Sequence, residues 1–177
     1  ISVTGDHRYW AGEDEMQDAL SDIMPDDFGW RRIDLPGFPA RNHDWVYGSD
    51  AFFSYYRRKA GEVDPAVAAR YRRILQGIIH LHGAGRAVRL IDKSQSLTLR
   101  LGALQEALSD CDPHFVLLTR DPFAVVWSQA TRGGVVSKLD ISLKAKVEIC
   151  AQHWANSMKA VLEDVGCDPS IRLGHWR

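Results

Sequence analysis

His114-Phe115-Val116-Leu117-Leu118-Thr119-Arg120-Asp121-Pro122 is the stretch that decides the fold. Its first half is an apolar run without polar alternation, the pattern of a central parallel strand covered on both faces. Its second half reads as a helix start. Asp121 is a natural N-cap, and Pro122 suits the first helical position, where a missing N–H costs nothing. Strand and helix therefore meet at Arg120. From Pro122 to Arg132 the helical period places Phe123, Val126, Trp127 and Ala130 on one arc, with Ser128 and Arg132 opposite. The spacing predicts an apolar packing face and a separate polar face.

Working outward, strand and helix patterns alternate. Ala87 to Ile91 reads as a short strand, and Ser96 to Leu108 as a helix with Leu97, Leu101, Leu104 and Leu108 on one face. Further upstream, Asp64-Pro65 supplies a cap and a first helical residue. Val67, Tyr71, Ile74, Leu75, Ile78 and Leu81 follow at helical spacing until Gly83 and Gly85. Downstream, Ser142 to Val165 reads as a long helix ending at Gly166, and Ile171 to Arg177 as another strand. This alternation predicts an α/β architecture, a doubly wound parallel sheet flanked by helices, in which ligands bind beyond the carboxyl ends of the strands. The first third is less regular. Glu13 to Met24 reads as a short acidic helix, Pro25 to Gly48 as an irregular excursion over the surface, and Ser49 to Ala60 as a helix carrying Phe52, Phe53, Tyr55 and Tyr56.

The length, 177 residues, fits one domain, and 45% hydrophobic with 25% charged residues is ordinary globular composition, which argues against disorder and coiled coil. A net charge of −1 gives no support for wholesale binding to nucleic acid or anionic membrane. No apolar run is long enough to span a membrane, and Asp6, His7 and Arg8 interrupt any signal-like segment. Cys111, Cys150 and Cys167 are widely spaced with no CxxC pair, which fits a reducing compartment and no zinc ribbon. His80 and His82 point apart on a helix, and His153 and His175 have no evident ligand partners, so no metal is expected. Ile1-Ser2-Val3 and the run to Arg177 are apolar and β-prone, so the chain reads as a single partial domain over 1–177, incomplete at both ends. Eight acids and one base fall in residues 1 to 27, against ten bases and three acids in residues 57 to 100. Two solvated faces of opposite sign account for this pattern; so does a basic wall facing an anionic ligand.

Arg120 at a strand end and Ser128 two turns into the next helix offer a planar fork of donors and a hydroxyl, a pair suited to gripping one phosphate. The plainer alternative is an Arg120 ion-paired with a neighbouring acid and a Ser128 that is simply exposed.

Ile91-Asp92-Lys93-Ser94-Gln95, then a helix, then the strand to Arg120-Asp121-Pro122 with Ser128 eight residues after Arg120, resembles the sulfotransferase family. The likeness is to the bacterial and tyrosylprotein-sulfotransferase-like branch, with its K-[ST]-P and R-D-P-x-x-x-x-x-S segments. It is specific from about Val88 to Arg132, roughly a quarter of the chain. The resemblance implies a P-loop-like sheet and sulfuryl transfer from 3'-phosphoadenosine 5'-phosphosulfate (PAPS) to a hydroxyl or amine, without a metal. It also implies that Arg120 and Ser128 hold the donor's 3'-phosphate and that Lys93 approaches the transferring group. A fixed ammonium there stabilises charge that builds on the bridging oxygen. Gly12-Glu13-Asp14-Glu15 resembles the segment where that branch places a catalytic glutamate, which makes Glu13 the candidate base; an acidic first helical turn is the alternative. A cytoplasmic location follows from where the donor is made.

Two departures qualify the resemblance. No R-S-G-T-T-like loop for the 5'-phosphosulfate exists in these residues, and Gln95 stands where the family has proline. The polypeptide by itself is therefore expected to bind donor weakly and transfer little. A P-loop nucleotide kinase shares the architecture but needs a G-x-x-x-x-G-K-[ST] loop, which is equally missing. A non-catalytic nucleotide-binding remnant is the third reading. The acceptor is not legible; small-molecule, carbohydrate and lipid acceptors all fit the aromatic excursion from Phe28 to Tyr56, and nothing in the sequence fixes the oligomeric state.

Overall fold

The computed structural model describes residues 20, 24, 33, 35–40, 46–133 and 135–176. Its elements run α1 (Phe53–Tyr56), α2 (Pro65–Gly83), a 3-10 turn (Gln95–Leu99), α3 (Leu101–Ala107), β1 (His114–Leu118), α4 (Pro122–Ser128), a π-turn (Gln129–Gly133), a second 3-10 turn (Val136–Lys138), α5 (Leu143–Cys167) and β2 (Arg172–Trp176). The architecture is mixed α and β, with one two-stranded parallel sheet among the described residues.

Helices start where capping side chains are encoded. Asp64 accepts the Ala66 N–H at 2.7 Å, Asp121 accepts the Ala124 N–H at 2.8 Å, and Ser142 accepts the Ala145 N–H at 3.2 Å. Each satisfies a backbone donor that the first turn leaves without a partner. α2 ends at Ala84, which takes the left-handed conformation (φ 50°) ahead of Gly85 (φ 75°). Gly83 serves packing instead, because a Cβ there would sit 3.2 Å from Val88.

Three expected elements are shorter or differently built. The Ser49–Ala60 helix contracts to α1, because Arg57 leaves helical geometry (ψ 124°) to send its guanidinium into the interior. There Arg57 makes a two-pronged pair with Asp164 on α5, with Nη1 at 3.0 Å from Oδ2, and it donates to the Leu99 carbonyl at 3.1 Å. Asp164 also accepts the Gly102 N–H at 2.9 Å, so one buried carboxylate ties α5 to the start of α3. The Ser96–Leu108 helix breaks at Arg100 (φ −138°), whose buried side chain donates to the Tyr56 carbonyl at 3.1 Å and lies over the Tyr56 ring. Leu97, Leu104 and Leu108 stay on one cluster, while Leu101 turns to another. Ala87 to Ile91 forms no ladder among the described residues; Leu90 packs inward and Ile91 is exposed. α5 continues through Gly166 to Cys167.

β1 and β2 pair in parallel, with Val116 opposite Gly174, and the connection between them carries α4 and α5, as a parallel pair requires. Phe115, Leu117 and Leu173 face Leu101, Val161 and Ile171. Phe115 also packs on the cluster that contains Leu20, Met24, Tyr71 and Leu104. On the opposite face Val116 is 69% and Leu118 68% exposed, so the described residues cover β1 on one face and not on both. A third cluster gathers Tyr47, Phe52, Tyr56, Leu99, Ala130, Ile149 and Ala160, with Phe38 edge-on to Phe52 at 5.3 Å. α4 joins it through Val126 and the π-turn through Ala130. Phe123 (83% exposed) and Trp127 (50% exposed) lie on the flank, so the apolar arc read from the sequence is rotated from the true packing face.

The basic stretch also divides. Arg57 and Arg100 are interior structural residues, Arg72 donates to the Ala107 carbonyl at 2.7 Å, and Arg70 and Arg73 are exposed on α2. No helix among the described residues is long and apolar enough to cross a membrane.

Candidate functional site

The site is built from the carboxyl end of β1. Leu118 closes the strand, and Thr119 and Arg120 follow before α4 begins. Asp121 turns its carboxylate onto the Ala124 N–H, so the nearest acid in sequence is committed to the helix. Arg120 is exposed and has no hydrogen-bond or ion-pair partner among the described residues. The ion-paired alternative for Arg120 is therefore not what the described residues present.

Ser128 is the last residue of α4 and is exposed. A rise of 1.5 Å per residue puts it about 9 Å along the axis from Pro122. Beyond it the helix widens: the Gln129 N–H reaches both the Val125 and Val126 carbonyls, and the Thr131 hydroxyl donates to the Trp127 carbonyl at 2.7 Å. Arg120 and Ser128 thus belong to one strand-turn-helix unit, with both polar ends in solvent.

Thr119 supplies a feature that sequence reasoning missed. Its Oγ1 lies 2.8 Å from Nε2 of His175, which stands near the carboxyl end of β2 and is exposed. The two residues are 56 positions apart. Only the parallel register, with Leu117 opposite His175, brings them together.

Lys93 sits on a different segment. Asp92 Oδ1 accepts both the backbone N–H and the hydroxyl of Ser94, at 2.9 and 2.6 Å, forming a tight turn that presents Lys93 outward. The second Asp92 oxygen is buried. Burial, with the Asp92 charge second and Arg100 partly opposing, pushes the Tyr71 hydroxyl well above its ordinary value. The 3-10 turn after Lys93 packs on α1, α3 and α5 rather than on the strand-turn-helix unit. Glu13 lies outside the described residues.

The histidines and cysteines have other roles. His153 is buried on α5, its Nδ1 accepts the Gly48 N–H at 2.9 Å, and Tyr47 stands edge-on to its ring at 4.9 Å. Burial lowers its pKa to about 4, so the ring is neutral. Cys150 is buried and its thiol is pushed up to about 11 by the same cause, while Cys111 and Cys167 are exposed and free. Among the described residues no three His, Cys, Asp or Glu side chains cluster as metal ligands would.

Comparison with protein-family models, with curated proteins and with solved structures returns no match.

Proposed function

We propose that this chain is a sulfotransferase-like domain whose strand-turn-helix unit binds the 3'-phosphate of an adenosine 3',5'-bisphosphate nucleotide, the class to which PAPS belongs. The observation that supports the reading is an exposed Arg120 with no partner among the described residues, followed on the next helix by an exposed Ser128, while the Asp121 carboxylate caps that helix. An arginine left without a carboxylate at the carboxyl end of a parallel strand stands where α/β proteins place ligand groups. Its fork makes two parallel charge-assisted bonds to phosphate, and the serine adds a third donor.

Arg120 and Ser128 are the residues that would hold such a ligand at its 3' end. When bound, PAPS supplies an activated sulfuryl group. Lys93, presented by the Asp92–Ser94 turn, is the proposed ammonium that offsets charge on the leaving oxygen. The wider proposal includes a doubly wound, P-loop-like sheet to which β1 and β2 belong, a hydroxyl or amine acceptor, and Glu13 as base.

Calorimetry with 3'-phosphoadenosine 5'-phosphate and with adenosine 5'-phosphate tests the reading. Arg120→Ala is expected to weaken the 3'-phosphorylated nucleotide by about tenfold to a hundredfold, the value of one charged hydrogen-bonding group, and the 3'-hydroxyl form by about twofold or less. Equal losses for both nucleotides remove Arg120 from this role.

A further inference from the structure

We infer that the carboxyl end of α2 and the loop after it, from His80 to Ile91, form a docking surface for an anionic membrane. The inference is independent of the nucleotide reading and uses part of the basic stretch that reading leaves aside.

Three observations carry it. The first is charge. No acid occurs from Pro65 to Ile91, while Arg70, Arg72, Arg73, Arg86 and Arg89 all fall there. Arg86 and Arg89 are exposed and have no hydrogen-bond or ion-pair partner among the described residues. Asp92, the next acid along the chain, holds one carboxylate oxygen on the Ser94 N–H and hydroxyl and buries the other, and the two arginines outnumber its one charge. The second is apolar exposure. Leu81 is 78%, Ile91 88% and Val88 43% exposed, all on one helix end and its loop. Neither water nor a soluble polyanion rewards aliphatic side chains. The boundary between lipid headgroups and acyl chains does, and it seats arginines on the phosphates at the same time. The third is placement. The chain turns at Ala84 and Gly85, both at positive φ, and the Arg86 N–H donates to the Gly83 carbonyl at 2.9 Å. Val88 stands against Gly83, where a Cβ would lie 3.2 Å from it, and Leu90 packs on the same cluster as Ile74 and Ile78 of α2. The loop therefore folds back on the helix end, and Arg89 and Ile91, on either side of Leu90, are left exposed. A second copy on this patch would set arginines against arginines across a two-fold contact, which disfavours self-association as the use of the surface.

The test sediments the whole chain with vesicles of phosphatidylcholine alone and with vesicles that contain about one third phosphatidylserine. Binding to the anionic vesicles only is expected, and it should be lost at about 0.5 M salt, where the Debye length is about 4 Å. Arg86→Ala with Arg89→Ala is expected to weaken binding about twentyfold, each arginine at such a surface being worth about fivefold, whereas Arg86→Lys with Arg89→Lys stays close to the parent. Leu81→Asn with Ile91→Asn is expected to weaken it about tenfold. All four positions are exposed, and unchanged circular dichroism and melting show that the variants remain folded. Sedimentation with neither vesicle, or equally with both, overturns the inference without any variant. Anionic binding that the Leu81 and Ile91 changes leave within about twofold also overturns it, because that is the behaviour of a surface that grips any polyanion.

Discussion

Acidification from about pH 7.5 to about pH 4.5 is expected to cost this protein roughly 2 to 3 kcal/mol through His153 alone. The imidazole is buried, and burial takes its pKa from 6.5 down to about 4. Its Nδ1 accepts the Gly48 N–H at 2.9 Å, and a proton on that nitrogen would abolish the bond and place a charge beside Tyr47. The unfolded chain takes up the proton near pH 6.5, whereas the folded one resists until about pH 4. The unfolded state therefore binds more protons throughout that window, and stability rises with pH across it. The contribution is complete above the unfolded value and disappears as pH falls toward the folded one. Urea unfolding at several pH values, for the parent and for His153→Gln, isolates the effect because carboxylates titrate in both. The parent's stability should fall more steeply by the stated amount. Parallel curves, or a His153 ring that titrates near its ordinary value in NMR, would refute the reasoning.

The other expectations concern the frame that holds the site. Asp164→Ala removes both the buried carboxylate that pairs with Arg57 and the acceptor of the Gly102 N–H, and should cost about 3 to 5 kcal/mol in urea unfolding. Asp164→Asn, which keeps an acceptor for Gly102, should cost less. Gly48→Ala forces a Cβ to within 2.6 Å of His153 Nδ1 and 2.7 Å of the His153 carbonyl oxygen, a backbone atom inside α5 that cannot swing away. It should destabilise by at least about 2 kcal/mol, read as a lowered thermal midpoint.

Local signals were the legible part of the sequence. Asp64-Pro65, Asp121-Pro122 and Ser142 announce helix starts because the cap is a contact between near neighbours, and all three hold. The strand at His114–Leu118 was legible from its apolar run, but its burial was not. Composition states what a strand is able to bury and not what lies over it, and Val116 and Leu118 face outward. Long-range contacts were invisible for the same reason. Arg57 ends α1 and Arg100 splits the expected Ser96–Leu108 helix because each side chain reaches a distant partner, Asp164 in one case and the Tyr56 carbonyl in the other. Helical periodicity registers neither. The turn and helix that carry Arg120 and Ser128 are local and were readable. The contact between Thr119 and His175 depends on strand register across 56 positions, which no local pattern encodes.

The most direct test of the central claim is a crystal structure of the chain with 3'-phosphoadenosine 5'-phosphate. The account predicts 3'-phosphate oxygens about 2.8 to 3.0 Å from the Arg120 guanidinium and from the Ser128 hydroxyl. A nucleotide bound elsewhere, or one whose 3'-phosphate touches neither group, would contradict it.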